Sequence, residues 1–481
     1  MIRRLGTLLL TGLAAGLLAL MGSTRVAGQG QTSCAAPALG GPDAWLPATS
    51  APTTSYDKPK SHGEQGGDCP FYQAAWQTFL YVATPGSDGR PAFTSFPNIE
   101  STFGEAFLPA TAQVRTQKSA LLSLLPRARK GPNEDFSPNA GIEQAGLRQI
   151  LVDQAGNPVF YSVHFNDEMA RFFRDKGLTT AAGIRGAPAD LTFPRGVVEL
   201  KAAWRIVDSA SPPSDYITVK AMVPALSIVN GAVKIDANAT PREVTVALLA
   251  LHVVFVMEGH PEFIWSTFEH VDASGRLNNA PAAPNNPAST PGASVIDATQ
   301  DYALYRKGTA AQDGNQQIED AGVAAAFDVK TQTFGTAARS SVFRAFPASK
   351  SLDAVEDGDV TALNDDIARQ FKATTLASND KRGNYKLVGA VWMENPARDF
   401  KTNIRIVNAD GVSPDDPLAM VAGEDRLSST SMESFTQTSD FHCFKCHDTR
   451  HVTEVAPFPP LDAKQINVSH ITSMYLRNSG K

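Results

Sequence analysis

The chain has 481 residues, 42% of them hydrophobic, which is ample for a large packed core in one or two domains. Its formal charge of -6 leaves no basic footprint of the kind that nucleic-acid binding requires. The cysteines fall into two pairs, Cys34 with Cys69 and Cys443 with Cys446.

Arg3 and Arg4 precede a short apolar stretch from Leu8 to Met21, and Val26-Ala27-Gly28 offers small residues before Gln29. This pattern predicts a secretory signal over residues 1–28, too short and wrongly flanked to span a membrane. No lipobox precedes Cys34, and no other apolar run approaches membrane length. Removing the segment deletes Arg3, Arg4 and Arg25 and no acid, so the net charge moves from -6 to -9. The expected location is the bacterial periplasm, with no membrane span in the mature chain. Residues 29–68, with Pro37, Pro42, Pro47, Pro52 and Pro59, read as an extended arm. In an oxidising compartment Cys34 and Cys69 are expected to form a disulfide that staples this arm to the body.

Residues 69–425 read as the body. A helix is expected from Phe71 to Val82, with Ala75, Phe79 and Val82 on one face. Apolar runs around Gln154-Ala155-Gly156-Asn157 predict a hairpin over Gln149–Val163, and Asn166 can cap a helix from Asp167 to Arg174. Strands are then expected over Val197–Val207, Tyr216–Val223, Thr245–Met257, Phe263–His270, Lys386–Met393 and Asn403–Val407. A polar loop fills Asn278–Ser294, and a further helix spans Val360–Phe371. The fold class is α+β: an antiparallel β-rich body with peripheral helices and a C-terminal segment, 426–481, that carries the motif described next.

Cys443-Phe444-Lys445-Cys446-His447 is a C-x-x-C-H string, the sequence form of a c-type haem attachment site. Both thiols add to the vinyl groups of one covalently attached haem c, and His447 becomes the proximal iron ligand. Two other readings exist: a thioredoxin-like redox pair, which wants a βαβ context, and half a zinc site, which wants a second ligand pair. Neither completion is visible. Because 34 residues follow His447, upstream residues must enclose most of the haem.

For the distal side of the iron, Met474 is the first choice, then His270 and His252. A hairpin turning at Gly259-His260-Pro261 would set His252 and His270 on one sheet face, with His260 exposed in the turn. Left to itself, His252 reads as a neutral core histidine, and Trp265 reads as core packing. Met432 could fold back across the haem but suits packing better; His451 falls on the proximal side, and His470 in the tail completes the set.

The Trp265-Ser-Thr-Phe-Glu-His270 string and the Thr430-Ser-Met432-Glu-Ser-Phe435 string leading into the haem motif resemble those of large bacterial periplasmic proteins of the "cytochrome c family". The resemblance spans most of the mature chain and implies a periplasmic haem protein without supplying an activity. The expected function is electron transfer with a periplasmic redox partner. The alternative is a haem enzyme, peroxidase- or oxygenase-like, acting on a small-molecule substrate in an open distal site.

Overall fold

The computed structural model describes residues 34–40, 45–46, 68–97, 102–103, 122–124, 141–147, 149–236, 238–283, 292–346, 354–373, 380–407, 419–424, 426–438, 441–450, 462–469 and 471–472. The expected signal segment lies outside this set, as do Met474, His451 and His470.

Pro70 opens α1 (Cys69–Val82), a first-turn position where a missing N–H costs no helical hydrogen bond. The short strand β1 (Leu122–Ser123) and β2 (Phe160–Phe165) follow. Asn166 caps α2 (Asp167–Asp175) as expected, its side chain accepting from Met169 N, with Asp167 and Glu168 in the first turn. Then come β3 (Val198–Val207), β4 (Thr218–Val223), the hairpin β5 (Leu226–Val229) and β6 (Ala232–Ile235), β7 (Arg242–Met257) and β8 (His260–His270). A small ladder of β9 (Phe327–Asp328) and β10 (Thr333–Phe334) precedes α3 (Ala354–Ala373). The last strands are β11 (Tyr385–Met393), β12 (Ile406–Val407) and β13 (Ala419–Gly423).

Nine of these strands form one mixed, mostly antiparallel sheet, parallel only at β1–β4 and β12–β13. The fold is therefore α+β with a β-rich body. β7 organises it. One edge pairs with β3 along Thr245–Phe255, while the other takes β4 over its first residues and β8 over its last. Paired on both edges and covered on both faces, β7 is apolar almost throughout rather than alternating.

One sheet face, marked by Leu251, Val253 and Phe268, is covered by α1 and α3. Phe79 stacks on Phe268 at 4.3 Å and Phe71 on Trp392 at 3.9 Å. Trp76 Nε1 donates to Asn364 Oδ1 of α3 (3.0 Å), and Asn364 Nδ2 donates to Leu387 O (2.9 Å), locking helix, helix and strand together. The described part of the arm is bound to the same layer. Cys34 and Cys69 form the expected disulfide, and Ala36 N and Leu39 N donate to Asp366 and Gln370 of α3. Leu39, Trp45 and Leu46 are buried, so these stretches are core rather than a loose tether.

The β7–β8 turn differs from expectation. Met257 pairs with His260, so the turn residues are Glu258 and Gly259, the latter at φ +79°. A bulge with Phe263 at φ +75° then sets the register in which His252 faces Thr267 and Ala250 faces Glu269. Side chains alternate along a strand, so this register sends His252 and His270 to opposite faces. His260 belongs to the strand and is buried, its Nδ1 2.8 Å from Glu262 Oε1 and its ring edge-on to Phe71. The strand expected over Asn403–Val407 shrinks to Ile406–Val407, and the β5–β6 hairpin around Asn230-Gly231 was not anticipated.

Candidate functional site

The sheet face opposite α1 and α3 carries an unusual row of polar side chains. Lys201, His252 and Thr267 are register partners on β3, β7 and β8. Beside that row lie Glu199 with Trp265, and on its other side Glu269. Against this face the chain lays its last segments, and the C-x-x-C-H string arrives with them.

Residues 428–434 dock first. Ser428, Ser429, Thr430, Ser431 and Ser434 are all buried, a polar turn that would be expensive without partners. Glu269 supplies them: it accepts from Thr430 N (2.9 Å), Thr430 Oγ1 and Ser429 Oγ. Arg344 neutralises Glu269 at 2.8 Å and also donates to Ser428 O. Tyr161 Oη donates to Ser431 O (2.6 Å), and Met432 enters an apolar cluster with Tyr161 and Leu304, which is a packing role.

Glu433 then drops onto the polar row. Its carboxylate takes His252 Nε2 (3.0 Å) and Ser429 N (2.7 Å), while His252 Nδ1 meets Thr267 Oγ1 (2.9 Å). Burial pushes the Glu433 carboxyl up, but His252 and Lys201 outweigh it and the pKa falls below the ordinary range. Burial lowers the Lys201 ammonium, Glu433 and Cys446 opposing; its Nζ donates to Gln144 O (3.1 Å) and lies 5.4 Å from the Tyr161 ring.

The motif itself is a tight 3-10 turn, Cys443–Lys445, closed by His447 N donating to Cys443 O (3.0 Å). Phe444 is buried in the core that also holds Trp265, which anchors the turn from its middle. Cys443 is half-buried and Cys446 exposed, and neither is in a disulfide among the described residues. Burial, then Glu433, raises both thiols above the usual range, the reverse of the lowered thiol in a disulfide oxidoreductase. Among the described residues, no group of three or more His, Cys, Asp or Glu side chains is arranged to hold a metal ion, so nothing there completes the zinc reading.

His447 is held from two sides. Its Nδ1 lies 3.0 Å from Val468 O, and since a carbonyl only accepts, Nδ1 carries a proton, which in a neutral ring assigns the lone pair to Nε2. That is the tautomer an iron-ligating histidine needs, with the second nitrogen fixed by a carbonyl. Trp265 packs beside the ring at 4.1 Å between centroids. The tail that provides Val468 is itself tied down: Gln465 N donates to Ala189 O, and Ser469 Oγ donates to Glu199 Oε2 (2.6 Å). Burial drives the Glu199 carboxyl up to about 7, with Ser469 only partly opposing. The donor set thus fits a c-type haem: two thiols outside any disulfide, one short turn ahead of an imidazole whose Nδ1 is held by a carbonyl.

The expected distal residues separate. His252 stands in the polar row near Cys446, with both ring nitrogens engaged, so reaching an iron would require it to leave Glu433. His270 lies on the other face, stacked on Tyr216 at 3.5 Å, with Asp215 at 3.6 Å. Burial lowers its pKa to about 4, against Asp215, leaving a neutral ring beside a cavity of about 600 Å³ lined in part by Arg205, Asp215, Tyr216 and Asn278. Met474 falls outside the described residues.

Lys201, Glu433 and the docking role of Glu269 were missed in the sequence. Their signal is the period-two polar pattern, Glu199 and Lys201 in one apolar strand and Thr267 and Glu269 in another. The chain matches no family model, no curated protein and no solved structure.

Proposed function

We propose that the chain is a monohaem c-type cytochrome that carries electrons in the bacterial periplasm, with haem c joined to Cys443 and Cys446 and His447 as proximal ligand. The observation that carries this reading is the Val468 carbonyl on His447 Nδ1, which fixes the ring tautomer one short turn after Cys443 and Cys446, neither of which is in a disulfide among the described residues. When bound, the haem supplies reversible one-electron chemistry at its iron. The chain's own contribution is to hold and shield. Val468 fixes the imidazole tautomer, Trp265 and Phe444 wall its side, and the Glu269–Arg344 pair seats the segment that leads into the motif. Met474 is the distal ligand we favour, since His252 is committed to Glu433 and Thr267. The acidic mature chain suits a basic redox partner.

A second reading, a haem oxidoreductase, draws support from the buried Lys201–His252–Glu433 row next to Cys446, acid–base groups that a simple carrier does not need.

The test is expression with haem-attachment machinery, followed by intact-mass analysis and visible spectra of the ferrous protein with and without carbon monoxide. The expected result is a mass increment of one haem, lost in Cys443→Ser/Cys446→Ser, and no prompt carbon monoxide complex. A wild-type chain that matures without covalent haem overturns the proposal. Immediate carbon monoxide binding with a high-spin ferric spectrum replaces electron transfer by the oxidoreductase.

A further inference from the structure

Resting on that haem assignment, we propose that the indole N–H of Trp265 is a cofactor-binding donor, placed to hydrogen-bond a propionate carboxylate of the bound haem. Trp265 is 5% exposed, and among the described residues its Nε1 has no hydrogen-bond partner. A buried N–H without an acceptor is rare and costly, because the water it gives up is not replaced. This one lies in the side chain that touches His447.

Among the described residues, the polar groups of this face are already engaged. Glu433 is taken up by His252 and Ser429, Thr267 by His252, and Glu199 by Ser469. Nor can the indole swing away. Trp265 sits mid-strand in β8, paired with Val254 on one side and Val391 on the other, and packs against Phe263 and Phe444. A fixed, dry donor next to the axial imidazole needs an acceptor that arrives with the ligand. The strong acceptors on a haem are its two propionates, and a charged carboxylate makes the stronger, charge-assisted bond to N–H.

The alternative acceptors, a water or a residue outside the described set, would be present without haem. The experiment therefore compares mature haem-loaded protein with the haem-free Cys443→Ser/Cys446→Ser chain by ultraviolet resonance Raman of indole hydrogen bonding. The expected result is a strongly hydrogen-bonded indole component that appears only with haem and is absent from haem-loaded Trp265→Phe. An unchanged indole signal on haem attachment overturns the inference, and this comparison needs no substitution at Trp265.

A second reading comes from the equilibrium between ferric and ferrous protein against a reference couple. Without the donor the propionate charge is less compensated, so Trp265→Phe should shift the ratio toward ferric, by less than the roughly tenfold of a whole hydrogen bond to a charged group, because the bond is made in both oxidation states. A ratio unchanged from wild type, or one shifted toward ferrous, counts against it. If wild type carries no covalent haem, the cytochrome reading falls with this one; if it does and the indole is unmoved, only the tryptophan assignment fails.

Discussion

Replacing Glu269 tests whether the segment that leads into the C-x-x-C-H string is seated by a buried ion pair. The carboxylate has no solvent exposure and the Arg344 side chain only 3%, so neither charge is screened by water. Glu269→Ala strands the guanidinium in the core and deprives Thr430 N and Ser429 Oγ of their acceptor. Removing one partner of a buried pair costs about 3–5 kcal/mol. Glu269→Gln keeps an acceptor for Thr430 and loses only the charge, so the loss should be nearer 1.5–3 kcal/mol, roughly that of a charged hydrogen bond. The double variant Glu269→Gln/Arg344→Met leaves no orphan charge and should recover part of the Glu269→Gln deficit. Urea unfolding with fixed m-values gives the three differences. Thiol labelling of haem-free protein reports whether Cys443 becomes more accessible as the 428–434 turn lifts. Stability of Glu269→Ala within about 1 kcal/mol of wild type, or a double variant no better than Glu269→Gln, would refute the argument.

The Cys34–Cys69 bridge closes a separation of 35 residues, and its removal by Cys34→Ser/Cys69→Ser should cost about 2–4 kcal/mol, read from urea midpoints. Stability unchanged by reduction would show that the α3 contacts of Ala36 and Leu39 hold the arm unaided. Glu199 gives a pH signature. Its folded pKa, about 7, stands above that of an exposed glutamate, so the folded state binds the extra proton. That stabilisation is complete below the unfolded pKa and is lost as pH rises through the folded one, so Glu199 by itself should weaken the fold by about 3 kcal/mol between acid and pH 8, while His270, its pKa lowered to about 4, works in the opposite sense. Glu199→Gln should flatten this slope, as unfolding curves at pH 5 and pH 8 would show; equal slopes in the two proteins would remove Glu199 as the cause.

Much of the fold was legible because its elements announce themselves locally. The Asn166 cap, α1 and the apolar strands β3, β7 and β11 lie close to their expected bounds, since period and capping are properties of neighbouring residues. The β7–β8 register was not legible. It depends on a two-residue turn at Glu258-Gly259 and on a bulge at Phe263, and a one-residue change in either sends every later side chain to the other face. His252 and His270 were separated by that detail alone. The Asn230-Gly231 turn, by contrast, is a plain hairpin signal between two short runs, and it could have been read.

The C-x-x-C-H string was readable from its own residues, whereas the site around it was not, and the reason is distance along the chain. Glu433 meets His252 across 181 positions, Thr430 meets Glu269 across 161, and Ser469 meets Glu199 across 270. No local period encodes such pairs. What the strands do show is where they ask for partners: a charged or hydroxyl side chain at every second position of an otherwise apolar, doubly covered strand must find a hydrogen bond on that face. Glu199 with Lys201 and Thr267 with Glu269 mark the same face of the sheet, and the Ser- and Thr-rich turn at 428–434 is complementary to it in chemistry. The polar row and the polar turn make sense only together. Their meeting is what delivers Cys443, Cys446 and His447 to the side of Trp265, so the position of the C-x-x-C-H string is set by hydrogen bonds formed well away from the string itself.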